Sequence, residues 1–219
     1  MILPDEFLTC VRCEDGLKRE EGQTPVPGAG RLDAKVMLIG ESAGAEEMKS
    51  ALPFQGKAGE NLNAFLTSVG LNRDRMYIGN TTRCRPYKEK QTILKNGSVR
   101  ITKSNKPPSA QAIKACAIWL DYEIEMLNPK LIVTLGSIPL KRLTGDQAIS
   151  AVHGTLLTTP IQQMTKEGRY TLSQQPYHIF PLYHPASIIY RQELKQVFEQ
   201  DLQNLRETID NLSITSVLL

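Results

Sequence analysis

The chain has 219 residues, of which 41% are hydrophobic and 22% charged, with a formal net charge of +3 at pH 7. A chain of this length can build one substantial core and is short for two full domains. No apolar run approaches the roughly 20 residues of a membrane-spanning helix, and the N-terminal residues lack the pattern of a signal peptide. We therefore expect a single cytoplasmic domain, monomeric and without a membrane partner.

Charge is distributed unevenly along the chain. Residues 83–106 hold eight basic side chains and one acid, a net charge of +7, which leaves −4 for the remainder. A basic strip on a mildly acidic body is typical of proteins that bind polyanions, and a solvated loop is the alternative. The residues predicted to contact DNA phosphates are Lys88, Lys90, Lys95, Arg100, Lys103 and, beyond the strip, Arg191.

Predicted strands and helices alternate along the chain. Apolar runs bounded by Gly, Asn or Pro predict buried strands, and they cover residues 35–40, 76–79, 130–135 and 177–183. Apolar residues at helical spacing predict helices, which cover residues 60–69, 109–127 and 194–205. Asn96-Gly97, between two extended runs, predicts a hairpin. The pattern predicts an α/β domain over residues 1–208, with a four-stranded, mostly parallel sheet flanked by helices, and a tail over residues 209–219.

Three of the predicted strands end at polar residues of different chemical kinds. The first ends at Glu41, the second at Asn80 and the last at His184. Open α/β sheets bind ligands at the carboxyl ends of their strands. A carboxylate, an amide and an imidazole at one rim can respectively activate water, read the edge of a heterocycle and stabilise a leaving anion. These strand ends therefore suggest a pocket for a nucleobase.

The four cysteines of the chain favour a metal centre. Cys10 and Cys13 form a Cys-x-x-Cys pair, Cys84 follows the Asn80 strand, and Cys116 lies on a predicted helix. In a reducing compartment such a set indicates metal binding rather than disulfides. Four thiolates suit either structural zinc or an iron-sulfur cluster, and their spacing does not choose between the two. Ordinary buried thiols are the remaining alternative.

The segment from Gly40 to Gly44 matches the G-x-S-x-G pattern of the α/β-hydrolase nucleophile elbow. That pattern would make Ser42 a nucleophile. A hydrolase elbow also needs earlier strands and an upstream oxyanion loop, and fewer than 40 residues precede this one. A serine hydrolase is therefore the less favoured hypothesis, and a glycine-flanked turn explains the glycines equally well.

Taken together, the motifs resemble those of the iron-sulfur family 4 uracil-DNA glycosylases, in order and spacing, from Cys10 to about residue 191. The matching residues are Cys10, Cys13, Gly28, Gly30, Gly40, Glu41, Gly44, Glu46, Glu47, Pro53, Phe54, Gly56, Ala58, Gly59, Asn80, Cys84, Arg85, Pro86, Cys116, His184, Pro185 and Ala186. The resemblance implies excision of uracil from single- or double-stranded DNA by hydrolysis of the N-glycosidic bond. A DNA-binding protein of the same fold with little turnover is the alternative.

The resemblance also implies roles for individual residues. Cys10, Cys13, Cys84 and Cys116 would hold a 4Fe-4S cluster. Within the base-binding pocket, Phe54 would stack on the flipped uracil, Asn80 would read its edge, His184 would support the departing base, and Glu41 would assist water attack. Gly40 and Ser42 would also contact the substrate, and Glu47 would lie near C5 of the pyrimidine. The run from Ser187 to Arg191 is a candidate wedge for the vacated base stack, unless Ile188 and Ile189 are core residues.

The chain departs from the family pattern at two places. The family usually has proline where this chain has Ala43, which predicts a looser first loop. Residues 87–104 form a basic insertion. A divergent branch that traps uracil-DNA covalently carries a reactive histidine in a similar basic loop, and this chain has Thr102 there. We therefore expect no covalent trapping.

Overall fold

The computed structural model describes residues 2–190 and 193–214, and only the backbone of residues 189 and 190. The strands are β1 (Ala29–Gly30), β2 (Val36–Ser42), β3 (Tyr77–Thr82), β4 (Tyr87–Ile93), β5 (Val99–Asn105), β6 (Leu131–Leu135), β7 (Leu157–Thr159), β8 (Gln162–Met164), β9 (Tyr170–Leu172) and β10 (Tyr177–Leu182). The α-helices are α1 (Glu14–Leu17), α2 (Ala45–Ser50), α3 (Lys57–Ser68), α4 (Ala110–Leu127), α5 (Ser137–Thr144), α6 (Ile149–Val152), α7 (Pro185–Tyr190) and α8 (Leu194–Asn211). Short 3-10 helices cover Asp5–Phe7 and Arg73–Arg75.

The four predicted strands form the parallel centre of the main sheet. The strand order is β1-β3-β2-β6-β10-β7, and β3, β2, β6 and β10 run parallel. The sheet is wider than predicted, because β1 and β7 add short antiparallel edges. These edges span two and three residues, too few to leave a periodic signal. The predicted α/β fold with a mostly parallel sheet is confirmed.

Helices cover both faces of the sheet, and this explains why its strands are continuously apolar. Val36 and Leu38 face a core that includes residues of α3 and α8, while Met37 and Ile39 face a core built with α4 and α5. All four side chains are at most 1% exposed. Strands buried on both faces have no polar alternation to show, as expected for a parallel sheet.

Two helix boundaries coincide with residues that favour helix ends. The chain leaves α3 through Gly70, which has a φ of +69°, a conformation that favours glycine. The Ser109 hydroxyl accepts a hydrogen bond from the Ala112 amide at 3.1 Å and caps α4. Helix α8 continues past the predicted boundary at residue 208, and Ile209 and Ile214 are buried. Residues 209–214 of the predicted tail therefore pack with the domain, and none of the described helices is long and apolar enough to cross a membrane.

Helix α4 is tied to the sheet by a buried polar network. The Glu123 carboxylate accepts from Arg83 at 2.6 Å, from the Tyr77 hydroxyl at 2.9 Å and from the Gly28 amide at 2.9 Å. Arg83 and Glu123 are 1% and 0% exposed. Loss of one partner would leave a buried charge unpaired, which is costly. The network therefore fixes α4, and with it Cys116, against β3.

The basic insertion forms an ordered hairpin outside the main sheet. Strands β4 and β5 pair antiparallel from Tyr87 opposite Asn105 to Ile93 opposite Val99. The Leu94 amide donates to the Ser98 carbonyl at 2.9 Å, and Gly97 turns the chain with a φ of +80°. The hairpin predicted from Asn96-Gly97 is present, and its strands extend over the whole insertion.

Candidate active site

The three polar strand ends meet at one pocket of about 570 Å³. Glu41 at the end of β2, Asn80 in β3 and His184 after β10 all line it. Strands β2 and β3 are neighbours and bring Glu41 and Asn80 together, and His184 reaches the same edge of the sheet because β10 runs parallel to them. The pocket thus lies where the sequence places it, at the carboxyl ends of the central strands.

Gly40 allows Asn80 and Phe54 to approach each other. Gly40 and Asn80 are paired between β2 and β3. A Cβ atom on Gly40 would lie 2.4 Å from Asn80 Oδ1 and 2.6 Å from Phe54 Cζ. Asn80 is 3% exposed, and its side-chain amide has no hydrogen-bond partner within residues 2–190 and 193–214. An amide held at a pocket wall without a partner is available to a ligand.

Phe54 is held in a backbone conformation that side chains rarely adopt. Its φ is +54°, and Arg73 donates to the Phe54 and Pro53 carbonyls at 3.0 and 2.7 Å. The Phe54 ring lies nearly parallel to the His184 imidazole, with centroids 6.3 Å apart and planes inclined by 26°. Strain of this kind costs about 1 to 3 kcal/mol and persists only where the surroundings enforce it. The ring is therefore presented at a fixed position in the pocket.

Glu41 and His184 both have pKa values shifted toward their neutral forms by burial. Desolvation raises the pKa of Glu41 above its ordinary 4.5 and lowers the pKa of His184 below its ordinary 6.5. His184 Nδ1 accepts a hydrogen bond from the Ala186 amide at 3.1 Å. Since Nδ1 is an acceptor, the neutral ring carries its proton on Nε2. His184 can therefore donate a hydrogen bond without a positive charge.

Glu47 lines the pocket, but its carboxylate is occupied by backbone groups. One oxygen accepts from the Gly44 amide at 3.0 Å. The other accepts from the Gln55 and Gly56 amides at 2.9 and 3.2 Å. Glu47 thus clamps the loop that follows Glu41 to the loop that carries Phe54. The predicted contact with the substrate stays a prediction, whereas the clamp is a role that the sequence did not suggest.

Ser42 borders the pocket without the partners of a serine nucleophile. It pairs with Thr82 through the β2–β3 ladder. In the part of the chain that the structure describes, no histidine hydrogen-bonds its hydroxyl. Activation of a serine requires such a base, so the geometry does not support the hydrolase hypothesis.

The foot of the β4–β5 hairpin supplies pocket residues that the sequence analysis missed. Asn105, Lys106 and Pro107 line the pocket together with Glu46 and Glu47. The Asn105 side-chain oxygen accepts from Arg85 Nε at 2.7 Å, which braces this wall. Nothing in the local sequence marks these residues, because only the hairpin closure returns them to the β3 end of the sheet.

The predicted phosphate contacts divide into two groups. Lys88, Lys90, Lys95 and Arg100 are exposed on the hairpin and form no ion pair within the described residues. Lys103 instead pairs with Glu20 at 2.7 Å and lies 4.9 Å from the centre of the Tyr87 ring. It therefore links the hairpin to the body of the protein, and its predicted contact with a DNA phosphate stays a prediction.

Only part of the candidate wedge after His184 lies within the described residues. Ile188 is 5% exposed and belongs to the core that also contains Phe198. The core alternative is thus correct for Ile188. Arg191 lies outside the described residues, as does the side chain of Ile189, so their predicted DNA contacts are not addressed by the structure.

The two other histidines are held in structural contacts, in line with their position away from the strand ends. His153 Nδ1 lies 2.8 Å from Asp201 Oδ2, and the His153 ring packs on Tyr183 with centroids 4.6 Å apart. His178 Nδ1 lies 2.9 Å from the Thr158 hydroxyl. Neither lines the pocket around Glu41.

The four cysteines are brought together from three separate parts of the chain. The Cys13 and Cys116 sulfurs hydrogen-bond, and this contact lowers the pKa of Cys13 to about 6. Cys84 is within electrostatic reach of Cys10 and Cys13. Cys84 and Cys116 are each 4% exposed, while Cys10 and Cys13 are partly exposed. The N-terminal segment, the loop after β3 and helix α4 therefore meet at these thiols.

Two of the four cysteine sulfurs accept hydrogen bonds from N–H donors. Trp119 Nε1 lies 3.4 Å from Cys10 Sγ, and Arg19 Nη1 lies 3.4 Å from Cys84 Sγ. Such donors stabilise thiolates, and hydrogen bonds to sulfur are a feature of iron-sulfur sites. The donor set fits a centre with four thiolate ligands. Among the described residues, no three or more Cys, His, Asp or Glu side chains are close enough together to hold a single metal ion.

The fold and pocket together define a class of enzyme that acts on a nucleobase. The sequence model of the uracil DNA glycosylase superfamily matches residues 27–206. This match covers the main sheet and the pocket, and the chain belongs to that superfamily.

Within that superfamily, the chain is similar in sequence to several Type-4 uracil-DNA glycosylases. The chain is 30% identical to a Type-4 uracil-DNA glycosylase of Saccharolobus solfataricus, over 98% of this chain and 88% of that protein. It is 29% identical to the Type-4 enzyme of Sulfurisphaera tokodaii, over 94% and 82% of the two chains. The Type-4 enzyme of Archaeoglobus fulgidus is 27% identical over 92% and 89%.

Proposed function

We propose that this protein excises uracil from DNA by hydrolysing the N-glycosidic bond, leaving an abasic site for base excision repair. The observation that carries the proposal is the convergence of Glu41, Asn80, His184 and Phe54 on one pocket at the strand ends. The names of its Type-4 relatives support the same reaction.

Base recognition depends on Phe54 and Asn80. A glycosylase holds the extruded base between an aromatic plane and hydrogen-bonding groups. The Phe54 ring offers the plane, and the unpartnered Asn80 amide offers one donor and one acceptor beside it. Uracil presents an N3–H donor and an O4 acceptor, and a single amide matches both.

Bond cleavage depends on His184 and Glu41. Negative charge develops on the uracil carbonyl as the bond breaks, and positive charge develops on the sugar. The neutral His184 ring, protonated on Nε2, donates a hydrogen bond to the departing base. The Glu41 carboxylate orients water or stabilises the sugar cation. The C1′–N1 electron pair leaves with the base, the water oxygen forms the new bond at C1′, and the proton that the water loses neutralises the uracil anion.

We also propose that Cys10, Cys13, Cys84 and Cys116 hold a 4Fe-4S cluster, with structural zinc as the competing assignment. The N–H donors at the Cys10 and Cys84 sulfurs support this proposal. The bound cluster would supply a structural crosslink rather than a reactive group. It would tie the N-terminal segment to the loop after β3 and to α4. The nearest cysteine along the chain to Asn80 is Cys84, which lies beyond the end of β3.

The proposed partner is uracil-containing DNA, single- or double-stranded, bound by a monomer. The exposed residues Lys88, Lys90, Lys95 and Arg100 support DNA binding through phosphates. A reducing cytoplasm suits the four thiols.

Excision is separated from binding without turnover by measuring abasic sites. The parent is incubated with single- and double-stranded oligonucleotides that contain one uracil, and alkaline cleavage reports each abasic site. We expect more than one abasic site per protein molecule, with loss of at least 100-fold in rate for Glu41→Gln and His184→Ala. His178→Gln, on the strand that leads to His184, is the matched control and should retain the parent rate. Tight binding of the uracil strand without abasic sites would instead identify a binding protein.

A further inference from the structure

The β4–β5 hairpin separates its side chains into two chemically different faces. Residues opposite each other in an antiparallel pair share a face, and successive residues alternate. The observed register puts one set of side chains together: Lys88, Lys90, Thr92, Arg100, Thr102 and Ser104. This cationic face holds three positive charges, three hydroxyls and no acid.

The opposite face changes character along its length. At its foot, Tyr87 donates to the Lys18 carbonyl at 3.3 Å, and Lys103 pairs with Glu20. At its free end the same face presents Ile93, Val99 and Ile101, which are 77%, 58% and 55% exposed. Three neighbouring apolar residues thus form an exposed patch at the tip, and patches of this kind mark interaction sites.

The hairpin begins at the wall of the active-site pocket and extends away from it. Asn105, at the foot of β5, lines the pocket. The seven residues from Tyr87 to Ile93 span about 20 Å at roughly 3.4 Å per residue. This length corresponds to about six steps of stacked B-form DNA at roughly 3.4 Å each.

We propose that the β4–β5 hairpin is an arm that binds the DNA flanking the excised base. The arm lies between the two DNA strands: its cationic face follows the phosphates of one strand, and the apolar tip (Ile93, Val99 and Ile101) on the opposite face contacts unstacked bases of the other strand about six nucleotides from the pocket. The proposal rests on the proposed function in taking DNA as the ligand.

Charge identifies the partner as DNA rather than another protein surface. The apolar tip is backed by Lys88, Lys90 and Arg100 and is followed by Lys95 in the turn, with Glu89 the one acid of the hairpin. A partner must therefore combine negative charge with apolar planes, which are the features of a nucleic acid strand. Apolar side chains at the end of β-ribbon arms insert between base steps in several architectural DNA-binding proteins.

The test uses binding and base unstacking, so it does not depend on turnover. Duplexes carry a stable abasic analogue at the centre and 2-aminopurine four to eight nucleotides away on either side. With the parent protein, we expect fluorescence to rise at least twofold near position six on one side of the analogue and to stay unchanged on the other side. The triple variant Ile93→Thr, Val99→Thr, Ile101→Thr keeps strand-forming residues and should abolish this rise.

Two matched variants complete the experiment. Lys88→Gln, Lys90→Gln and Arg100→Gln together should lower the slope of log K against log salt by about 2 to 3, at roughly 0.9 per lost phosphate contact. Leu172→Thr removes an apolar side chain that is 63% exposed on the separate β8–β9 pair, and should change neither readout. The proposed DNA contact of the hairpin would be contradicted by equal fluorescence on both sides, by an unchanged salt slope, or by concentration-dependent dimers that the triple Thr variant does not form.

If the fluorescence rise and the salt slope are as expected but no uracil is released, the proposed function alone is contradicted.

Discussion

At the scale of single residues, the pocket is built by small residues that allow large ones to meet. Gly40 brings the Asn80 amide and the Phe54 ring into contact range, and any side chain there would occupy the space of both. Gly136, with a φ of +98°, likewise lies against His184, 3.3 Å from its Cβ atom when a Cβ is placed on the glycine. The polar groups that the sequence identified are thus positioned by neighbours whose importance is steric.

Asn80→Asp tests whether the amide reads the base. The aspartate removes the donor to O4 of uracil and places a negative charge beside it. We expect a loss of about 2 to 4 kcal/mol in transition-state stabilisation, together with weak cytosine excision, since an acceptor suits the cytosine amino group. No described residue fixes the orientation of the Asn80 amide, so the parent should discriminate against cytosine less strictly than a braced amide would.

Single-turnover excision is the measurement for Asn80, and Asn105→Asp is its control. Asn105 lines the same pocket, but its side-chain oxygen accepts from Arg85, and an aspartate preserves that contact. Uracil excision by Asn80→Asp within a few-fold of the parent would show that this amide does not read the base.

The pH dependence of excision tests the role of Glu41. Burial raises the pKa of Glu41 above 4.5, so the carboxylate protonates as the pH falls through a value higher than that of an ordinary glutamate. Excision should decline on the acid side at this raised pKa, because the ionised form is the active one. His184 has a lowered pKa and stays neutral throughout the neutral range. A profile of kcat/KM against pH for the parent should therefore show this acid limb, and the residual rate of Glu41→Gln should lack it. An identical limb in both proteins would assign it to another group.

At the scale of elements, the sequence predicted the central strands and main helices well and the roles of the loop residues poorly. The four parallel strands, α3, α4 and the hairpin turn carry local signals, such as apolar runs, the Ser109 cap and Asn96-Gly97. Glu47 and Asn105 carry no local signal, because their roles come from backbone groups and walls that are distant in sequence. Lys103 shows the same limit, since a lysine that pairs with Glu20 looks like its exposed neighbours in the sequence.

Glu47→Gln tests the clamp between the two pocket loops. An amide can accept with one atom only, so either the Gly44 amide or the Gln55 and Gly56 amides lose their acceptor. We expect a loss of about 2 kcal/mol in the free energy of unfolding, since hydrogen bonds to a charged group are worth roughly 1.5 to 3 kcal/mol. Excision should fall while the preference for uracil over thymine is unchanged.

Urea unfolding and excision from uracil and thymine substrates are the measurements for Glu47, with Glu46→Gln as the control. Glu46 is exposed, and among the described residues its one ion pair is with Lys49, at 2.7 Å, so its replacement should change stability by less than about 0.5 kcal/mol. Acquired thymine excision with unchanged stability would instead support contact with C5 of the base.

At the scale of the whole molecule, distant segments are joined at two polar centres. The Arg83–Glu123 pair locks α4 to β3, and the cysteine cluster locks the N-terminal segment to the same two elements. Arg83 and Cys84 are adjacent in sequence, so one short loop serves both centres. The cysteines could be predicted as a set from their number and spacing, whereas the buried ion pair could not, since neither residue differs locally from a surface charge.

The cysteine centre is tested by its colour and metal content. Protein purified without oxygen should be brown, with a broad visible absorption band that fades on oxidation and about four iron atoms and four sulfides per chain. Cys84→Ser should reduce iron content and solubility while leaving base preference unchanged. Colourless protein with one equivalent of zinc would contradict the cluster assignment.

The most direct test of the central claim identifies what leaves the DNA. Equal amounts of oligonucleotides carrying a single uracil, thymine, cytosine or hypoxanthine are incubated with the parent protein, and the freed bases and residual strands are weighed by mass spectrometry. The account predicts free uracil in the same amount as full-length abasic strands, whose mass reflects the loss of uracil and the gain of one water, with no strand bound covalently to protein. Intact uracil strands, or a protein–DNA adduct in place of free abasic strands, would contradict it.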